Sequence, residues 1–291
     1  MTRFFKRTWK WFAALACVGM LGALAIAWEI GGAFCEPANR PVGAAGDLAI
    51  ENISFESKSG TTIHGWLVTP ATNHGVVILQ HGVGGTRNDM VERAKFLSKA
   101  GYAVLLFDFQ AHGESIGKKI TLGFRESRDS QAAVEFVKQR FPGKPIGVIG
   151  VSMGAAAAAL ANPPLDVQAL VLEIMYPTIA DATKDRIEIR LGPHSRWLSP
   201  ILTLQIPLRL GFSSDELRPI VQVEKITTPK LFLAGTKDRD TKIGESEQIF
   251  ARAAEPKKIV EFVGAHHEDL HTFAPDHYEK LVLNFLEEHL K

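Results

Sequence analysis

Cysteine is nearly absent: among 291 residues only Cys17 and Cys35 occur, one inside the N-terminal apolar run and one just beyond it. The globular part therefore contains none, which excludes thiol catalysis and cysteine-ligated zinc there. Charge of one sign is lacking too, since 33 Lys and Arg stand against 32 Asp and Glu, a formal net charge of +1. Four of the basic residues, Arg3, Lys6, Arg7 and Lys10, precede Trp11; taking those four from the 33 leaves 29 basic residues against 32 acidic, about −3. No basic stripe remains to follow a phosphate backbone, so nucleic acid is not an expected partner. Internal repeats are missing, and Ala155 to Ala159 is the one low-complexity tract. With 46% of its residues apolar, a chain of this length can bury one substantial core, and α/β architectures often reach this size as a single domain.

What is present begins with an apolar run from Trp11 to Trp28, preceded by the four positive charges and closed by Glu29. About 20 such residues span a bilayer, with the positive flank retained in the cytoplasm. An uncleaved single-pass anchor with the body on the non-cytoplasmic side is expected. Ala25-Ile26-Ala27 resembles a signal-peptidase site, which makes a secreted or periplasmic protein the alternative, but the run exceeds the roughly 7 to 15 residues of a signal-peptide core. The expected division is an anchor or signal over residues 1–30, a Pro- and Gly-containing linker over 31–47, and a catalytic domain over 48–291.

The domain opens with two β-rich segments, Ala49 to Glu56 and Thr62 to Thr69, around a Lys58-Ser59-Gly60 turn. Short apolar runs then alternate with helical stretches: Val76 to Leu79, Ala103 to Phe107, Ile146 to Ile149, Leu170 to Leu172, Lys230 to Ala234 and Ile259 to Val263. Wholly apolar strands separated by helices indicate a mostly parallel sheet buried on both faces. Between Tyr176 and Ile226 the alternation stops, as expected of an insertion on the sheet.

Gly150-Val151-Ser152-Met153-Gly154 matches G-x-S-x-G, a weak signal alone. Here an apolar strand runs into it and an alanine-rich helix runs out, which puts Ser152 on a sharp strand-to-helix turn beside a helix N-terminus. A serine hydroxyl needs a neutral imidazole to take its proton and a carboxylate to orient that imidazole. Where a G-x-S-x-G turn tops a mostly parallel sheet, the order along the chain is Ser, acid, His. Asp238 follows the carboxyl end of an apolar strand, with Asp240 as an alternative. The pair His266-His267 comes after one more helix and strand, and two adjacent histidines cannot both face the site. Gln80-His81-Gly82-Val83-Gly84-Gly85 is glycine-rich but lacks the Lys-Ser/Thr ending of a phosphate loop. It is expected to present the Val83 N–H to an oxyanion, paired with the N–H of Met153. His81 and His112 read as loop-fixing residues, and His271 and His277 as solvent-facing. No metal-ligand spacing occurs, and no cofactor is expected.

Taken together, His81-Gly82 with its glycines, Phe107-Asp108 with His112-Gly113-Glu114-Ser115, Gly150 to Gly154, Gly235 to Asp238 and the glycine-led histidine pair resemble the α/β-hydrolase superfamily from about Ile53 onward. More closely they resemble its membrane-anchored, lipase- and acyl-peptidase-like branch. There the last motif commonly reads Gly-Ala-Gly-His, then a polar residue and Asp. Aligning Gly264-Ala265 puts His266 on the glycine and His267 on the catalytic histidine. The resemblance implies the α/β-hydrolase fold, with an eight-stranded, mostly parallel sheet, helices on both faces and a helical cap, here residues 176–226, inserted after the sixth strand. It implies a serine hydrolase acting on a small-molecule or lipid-like ester or thioester through Ser152, Asp238 and His267. A peptidase or amidase, or an acyltransferase, would use the same triad; a non-catalytic membrane scaffold is the alternative of a different class.

Overall fold

The apolar runs become the interior of one sheet because they have no polar face to turn to water. A computed structural model describes residues 2–291, the side chains of residues 2–8 and of residue 10 excepted. The basic flank Arg3, Lys6, Arg7 and Lys10 thus falls outside the described side chains. The strands are β1 (Ile50–Glu56), β2 (Thr62–Val68), β3 (Val76–Gln80), β4 (Ala103–Phe107), β5 (Ile146–Val151), β6 (Ala169–Glu173), β7 (Lys230–Gly235) and β8 (Lys257–Phe262). Their order across the sheet is β8-β7-β6-β5-β3-β4-β2-β1. Only the β1–β2 and β2–β4 pairs are antiparallel. Every residue of β3, β4, β6 and β7 is buried, whereas β1 at the edge alternates between exposed and half-buried positions.

The helices are α1 (Thr2–Ala33), α2 (Val91–Lys99), α3 (Glu126–Arg140), α4 (Met153–Leu160), α5 (Ile179–Leu191), α6 (Ser199–Thr203), α7 (Ile206–Leu210), α8 (Pro219–Gln222), α9 (Ile243–Arg252), α10 (Leu270–Phe273) and α11 (Pro275–His289). Helices α3, α4 and α9 share a core with one face of the sheet, and α2 and α11 with the other. All eight residues of α4 are buried, so its alanines bring the helix backbone close to the sheet. The interval between β6 and β7 contains helices α5 to α8 and no strand, which makes it a helical cap following the sixth strand of the sheet.

Two segments differ from the sequence expectation in extent. Helix α1 continues through Gly31 and Gly32 to Ala33, beyond the apolar run. The stretch expected as a linker is docked: Ala38 and Asn39 pair in parallel with His112 and Gly113, Asn39 Nδ2 donates to Ser115 O at 3.0 Å, and Cys35 and Ala45 are buried. Free backbone polar groups on the 112–115 loop recruit this strap, because a buried N–H or C=O without a partner is unfavourable.

The small size of α4 is a packing requirement. Replacing the fully buried Ala157 by Leu should lower unfolding stability by about 1–3 kcal/mol through overpacking, measured by urea denaturation in detergent.

Candidate active site

Ser152 sits where β5 turns into α4, with φ 52° and ψ −110°, in the left-handed half of backbone space. The turn is held by Ser152 N–H donating to Glu173 O at 2.9 Å and by Ala156 N–H donating to Ser152 O at 3.0 Å. Both flanking glycines are required by close approach. A Cβ on Gly150 would lie 2.6 Å from Ala155 N, and one on Gly154 would overlap Gln80 O. Leu122 and Ile174, two further non-glycine residues with positive φ, lie on the loops around this end of the sheet, and strain of this kind concentrates where surrounding contacts over-determine the chain.

His267 is brought to Ser152 across 115 residues of sequence. Its Nε2 is 3.2 Å from Ser152 Oγ, and its Nδ1 is 2.7 Å from Asp238 Oδ2. A carboxylate can only accept, so Nδ1 carries the proton and Nε2 is left as the acceptor facing the hydroxyl. The other oxygen of Asp238 accepts from Asp240 N at 2.8 Å and Thr241 N at 2.9 Å, which fixes the carboxylate plane. Of the alternatives, His266 is exposed and Asp240 pairs with Arg186 of the cap at 3.5 Å. The loop bearing His267 meets β7 closely enough that a Cβ on Gly235 would lie 2.6 Å from Ala265 O.

The glycine-rich loop after β3 passes over the same hydroxyl: a Cβ on Gly82 would come within 3.7 Å of Ser152 Cβ. Gly84 N–H donates to His112 Nε2 at 3.1 Å, and Gly85 N–H to Gly82 O at 3.1 Å. The Val83 and Met153 N–H groups make no loop or side-chain hydrogen bond among the described residues, so these two donors near Ser152 stay available. His81 fixes the loop from below, its Nε2 accepting from Phe109 N–H at 3.1 Å and its Nδ1 facing Gly82 O at 2.7 Å. Complete burial, reinforced by His112 beside it, pushes the His81 imidazole down to about 3, so it remains neutral.

A model of the family described as serine aminopeptidase, S33, matches residues 71–207. The uncharacterized protein Rv2307c of Mycobacterium tuberculosis is 30% identical over 243 residues, 80% of this chain and 78% of that protein. The chain belongs to the α/β-hydrolase superfamily. The esterase Pf2001 of Pyrococcus furiosus superposes on this hydrolase with a TM-score of 0.73 at 24% identity, over 89% of this chain and 99% of the esterase. The lysophosphatidylserine lipase ABHD12 of Mus musculus is 27% identical over 66% of this chain and 48% of the lipase.

Three charged or polar residues beside the hydrolase's site, Arg93, Glu173 and Tyr278, were not found by sequence reasoning, and a fourth, Asp269, entered it only as the closing Asp of the histidine motif. Fully buried Arg93 bonds Glu173 at 2.8 Å, Tyr278 Oη at 2.9 Å and the Asp269 carboxylate. Burial alone would lower the Arg93 guanidinium, but Glu173, Tyr278 and Asp269 outweigh it and hold it well above its usual value. The group ties the end of β6, whose Glu173 carbonyl anchors Ser152, to the loop of His267 through Asp269, which also caps α10 by accepting from Thr272 N–H at 2.7 Å. The signal for it was Glu173 closing an apolar strand; its partners lie 80 to 105 residues away. His271 corrects the expectation of a solvent-facing side chain. It is 7% exposed, packed on Phe96 and Tyr278 with Nε2 2.9 Å from Glu279, because α10 folds back under α11.

The unfolded chain protonates His81 near its ordinary value, whereas the folded chain does so only near 3, so this group's contribution is complete above about pH 6.5 and lost as pH falls from there toward 3. Between pH 7 and 5 the wild type should lose about 2 kcal/mol more unfolding stability than His81→Gln, measured by urea titration at each pH. Parallel losses in the two proteins would exclude this linkage.

Proposed function

We propose that the protein is a serine hydrolase that cleaves a carboxylic ester or thioester through an acyl-enzyme on Ser152. The observation that carries this reading is the continuous chain from Ser152 Oγ through the His267 ring to Asp238, at 3.2 and 2.7 Å. As Oγ attacks the carbonyl carbon, its proton passes to His267 Nε2, and Asp238 steadies the resulting imidazolium through Nδ1–H. The N–H groups of Val83 and Met153 receive the oxyanion, as fixed donors that need no reorganisation while the charge develops. Collapse expels the alcohol or thiol, which takes the proton from Nε2. Water, deprotonated by the same nitrogen, then attacks the acyl-enzyme and releases the acid and the free serine. None of these steps calls on a metal or cofactor.

The likeness to the esterase Pf2001 and to ABHD12, a lysophosphatidylserine lipase, supports an ester and a lipid-like acyl substrate. A peptidase reading draws on the name of the S33 family model and would use the same three groups on an amide. An acyltransferase would share the acyl-enzyme and prefer an alcohol acceptor to water. A scaffold role gives no reason for a serine, an imidazole and a carboxylate to be kept in hydrogen-bonding order.

We further read α1 as a retained membrane anchor over residues 1–30, with the domain of residues 48–291 on the non-cytoplasmic side. Its Trp11–Ala33 stretch is long and apolar enough to cross a bilayer, and every residue from Trp11 to Ile26 is exposed. Ala27, at the end of the Ala25-Ile26-Ala27 sequence, accepts from Gln205 Nε2 at 3.0 Å, a contact that cleavage after it would cut from the chain.

Fluorophosphonate labelling of the full-length protein in detergent tests the reading. Wild type and His266→Ala should label, Ser152→Ala should not, and His267→Ala should label at least about 100-fold more slowly. Undiminished labelling of Ser152→Ala, or none of folded wild type, would overturn the assignment. Faster turnover of an acyl anilide than of the matched ester would move the reading to a peptidase.

A further inference from the structure

The last turns of α1 are fastened to the cap. Gln205 Nε2 donates to Ala27 O, Arg209 bonds the Trp28 carbonyl and lies 3.7 Å above the Trp28 ring, and Arg190 stacks 5.4 Å from the Phe34 ring. Gly31 is in contact with Gln205 so tight that a Cβ there would overlap the Gln205 amide. These contacts set where the cap lies relative to the helix, and hence relative to any bilayer the helix crosses. A hydrocarbon crossing of about 20 residues counted from Trp11 ends near Ile30. Ala27 and Trp28 therefore lie within the last turn of the crossing, and the cap residues that grip them are at the boundary between acyl chains and headgroups.

Around these gripping residues in sequence the cap exposes large apolar side chains. Trp197, Leu204 and Leu208 are 69%, 72% and 78% exposed, while their neighbours Ile206 and Leu210 are buried. Leu204, in the turn before α7, and Leu208, within α7, are four residues apart, and each immediately precedes one of the two residues that grip α1, Gln205 and Arg209. Packing explains Ile206 and Leu210 but leaves these three with nothing to cover them.

We propose that this face of the cap, built on Trp197, Leu204 and Leu208, is inserted into the interface of the bilayer that α1 spans. The inference rests on the reading of α1 as a retained anchor and adds a second contact to it. Leucines enter the boundary between headgroups and acyl chains, and a tryptophan suits that depth because its ring is apolar with one polar edge. With the cap seated there, a lipid-borne ester reaches the hydrolase from the membrane, and the substrate class is a lipid ester of that leaflet.

The test uses the full-length chain in phosphatidylcholine–phosphatidylglycerol vesicles, in a Cys17→Ala, Cys35→Ala background. An environment-sensitive nitrobenzoxadiazole probe is attached at Leu204→Cys, at Leu208→Cys and, as a solvent control, at Lys144→Cys. The two cap probes should brighten several-fold, shift to the blue and be quenched by lipids carrying a shallow nitroxide, while the control stays solvent-like. Resistance to alkaline carbonate reads the anchor separately. Cap probes as solvent-like as the control in a carbonate-resistant protein would overturn the proposal and leave the anchor standing; carbonate extraction would overturn both. In turnover, the Leu204→Glu, Leu208→Glu double variant should lose at least about tenfold on a vesicle-borne ester and keep its rate on a short water-soluble ester. Equal rates on both substrates would count against delivery from the membrane.

Discussion

The left-handed turn at Ser152 is the constraint around which the rest of this fold is arranged. A serine held at φ 52° costs on the order of 1–3 kcal/mol, and it persists only where neighbouring backbone leaves no other path. Here β5 must run directly into α4, whose alanines let the helix lie against the sheet, and Gly150 and Gly154 admit Ala155 and Gln80 at distances no side chain would tolerate. The same geometry that strains the serine lifts its hydroxyl above the carboxyl edge of the sheet and leaves the Met153 N–H without an internal partner. Positioning and strain are two aspects of one turn.

Everything that faces Ser152 is held by groups whose charge state burial has settled. The Val83 loop is braced by His81 and His112, two imidazoles pushed toward the neutral form by desolvation. The loop of His267 is braced through Asp269 by Arg93, a guanidinium that stays charged because Glu173 and Asp269 offset its loss of water. Neutral histidines serve on one side, where the partners are backbone N–H and C=O groups. A charged arginine serves on the other, where the partners are carboxylates.

The cap and the N-terminal helix form a second unit that reaches this site from outside. Lys242 joins Asp185 and Glu188 of α5 to the chain just after Asp238, at 2.5 and 2.9 Å, and Arg186 joins α5 to Asp240. On its far side the cap grips Ala27 and Trp28 of α1 and Phe34 just beyond it. The strap that follows α1 pairs with the loop of His112, which in turn holds Gly84. The helix that would enter a membrane is therefore connected by direct contacts to both the acid loop and the glycine-rich loop.

The sequence alone made the fold class readable, because wholly apolar strands such as Val76 to Leu79 and Leu170 to Leu172 can be satisfied only by a sheet covered on both faces. It also made Ser152, Asp238 and the His266-His267 pair readable as candidates, since each follows the carboxyl end of a strand and local periodicity reveals strands. It did not distinguish the two histidines by residue pattern, because which of two adjacent side chains turns inward depends on how Gly235 lets the loop approach β7. Nor did it reveal the Arg93, Glu173, Tyr278 and Asp269 group or the docking of the strap over residues 34–47. Those depend on pairing between residues far apart in the chain. Strand and helix signals repeat every two or four residues and can be read in one dimension; a buried charge finds its partner only when the folded chain closes the distance between them.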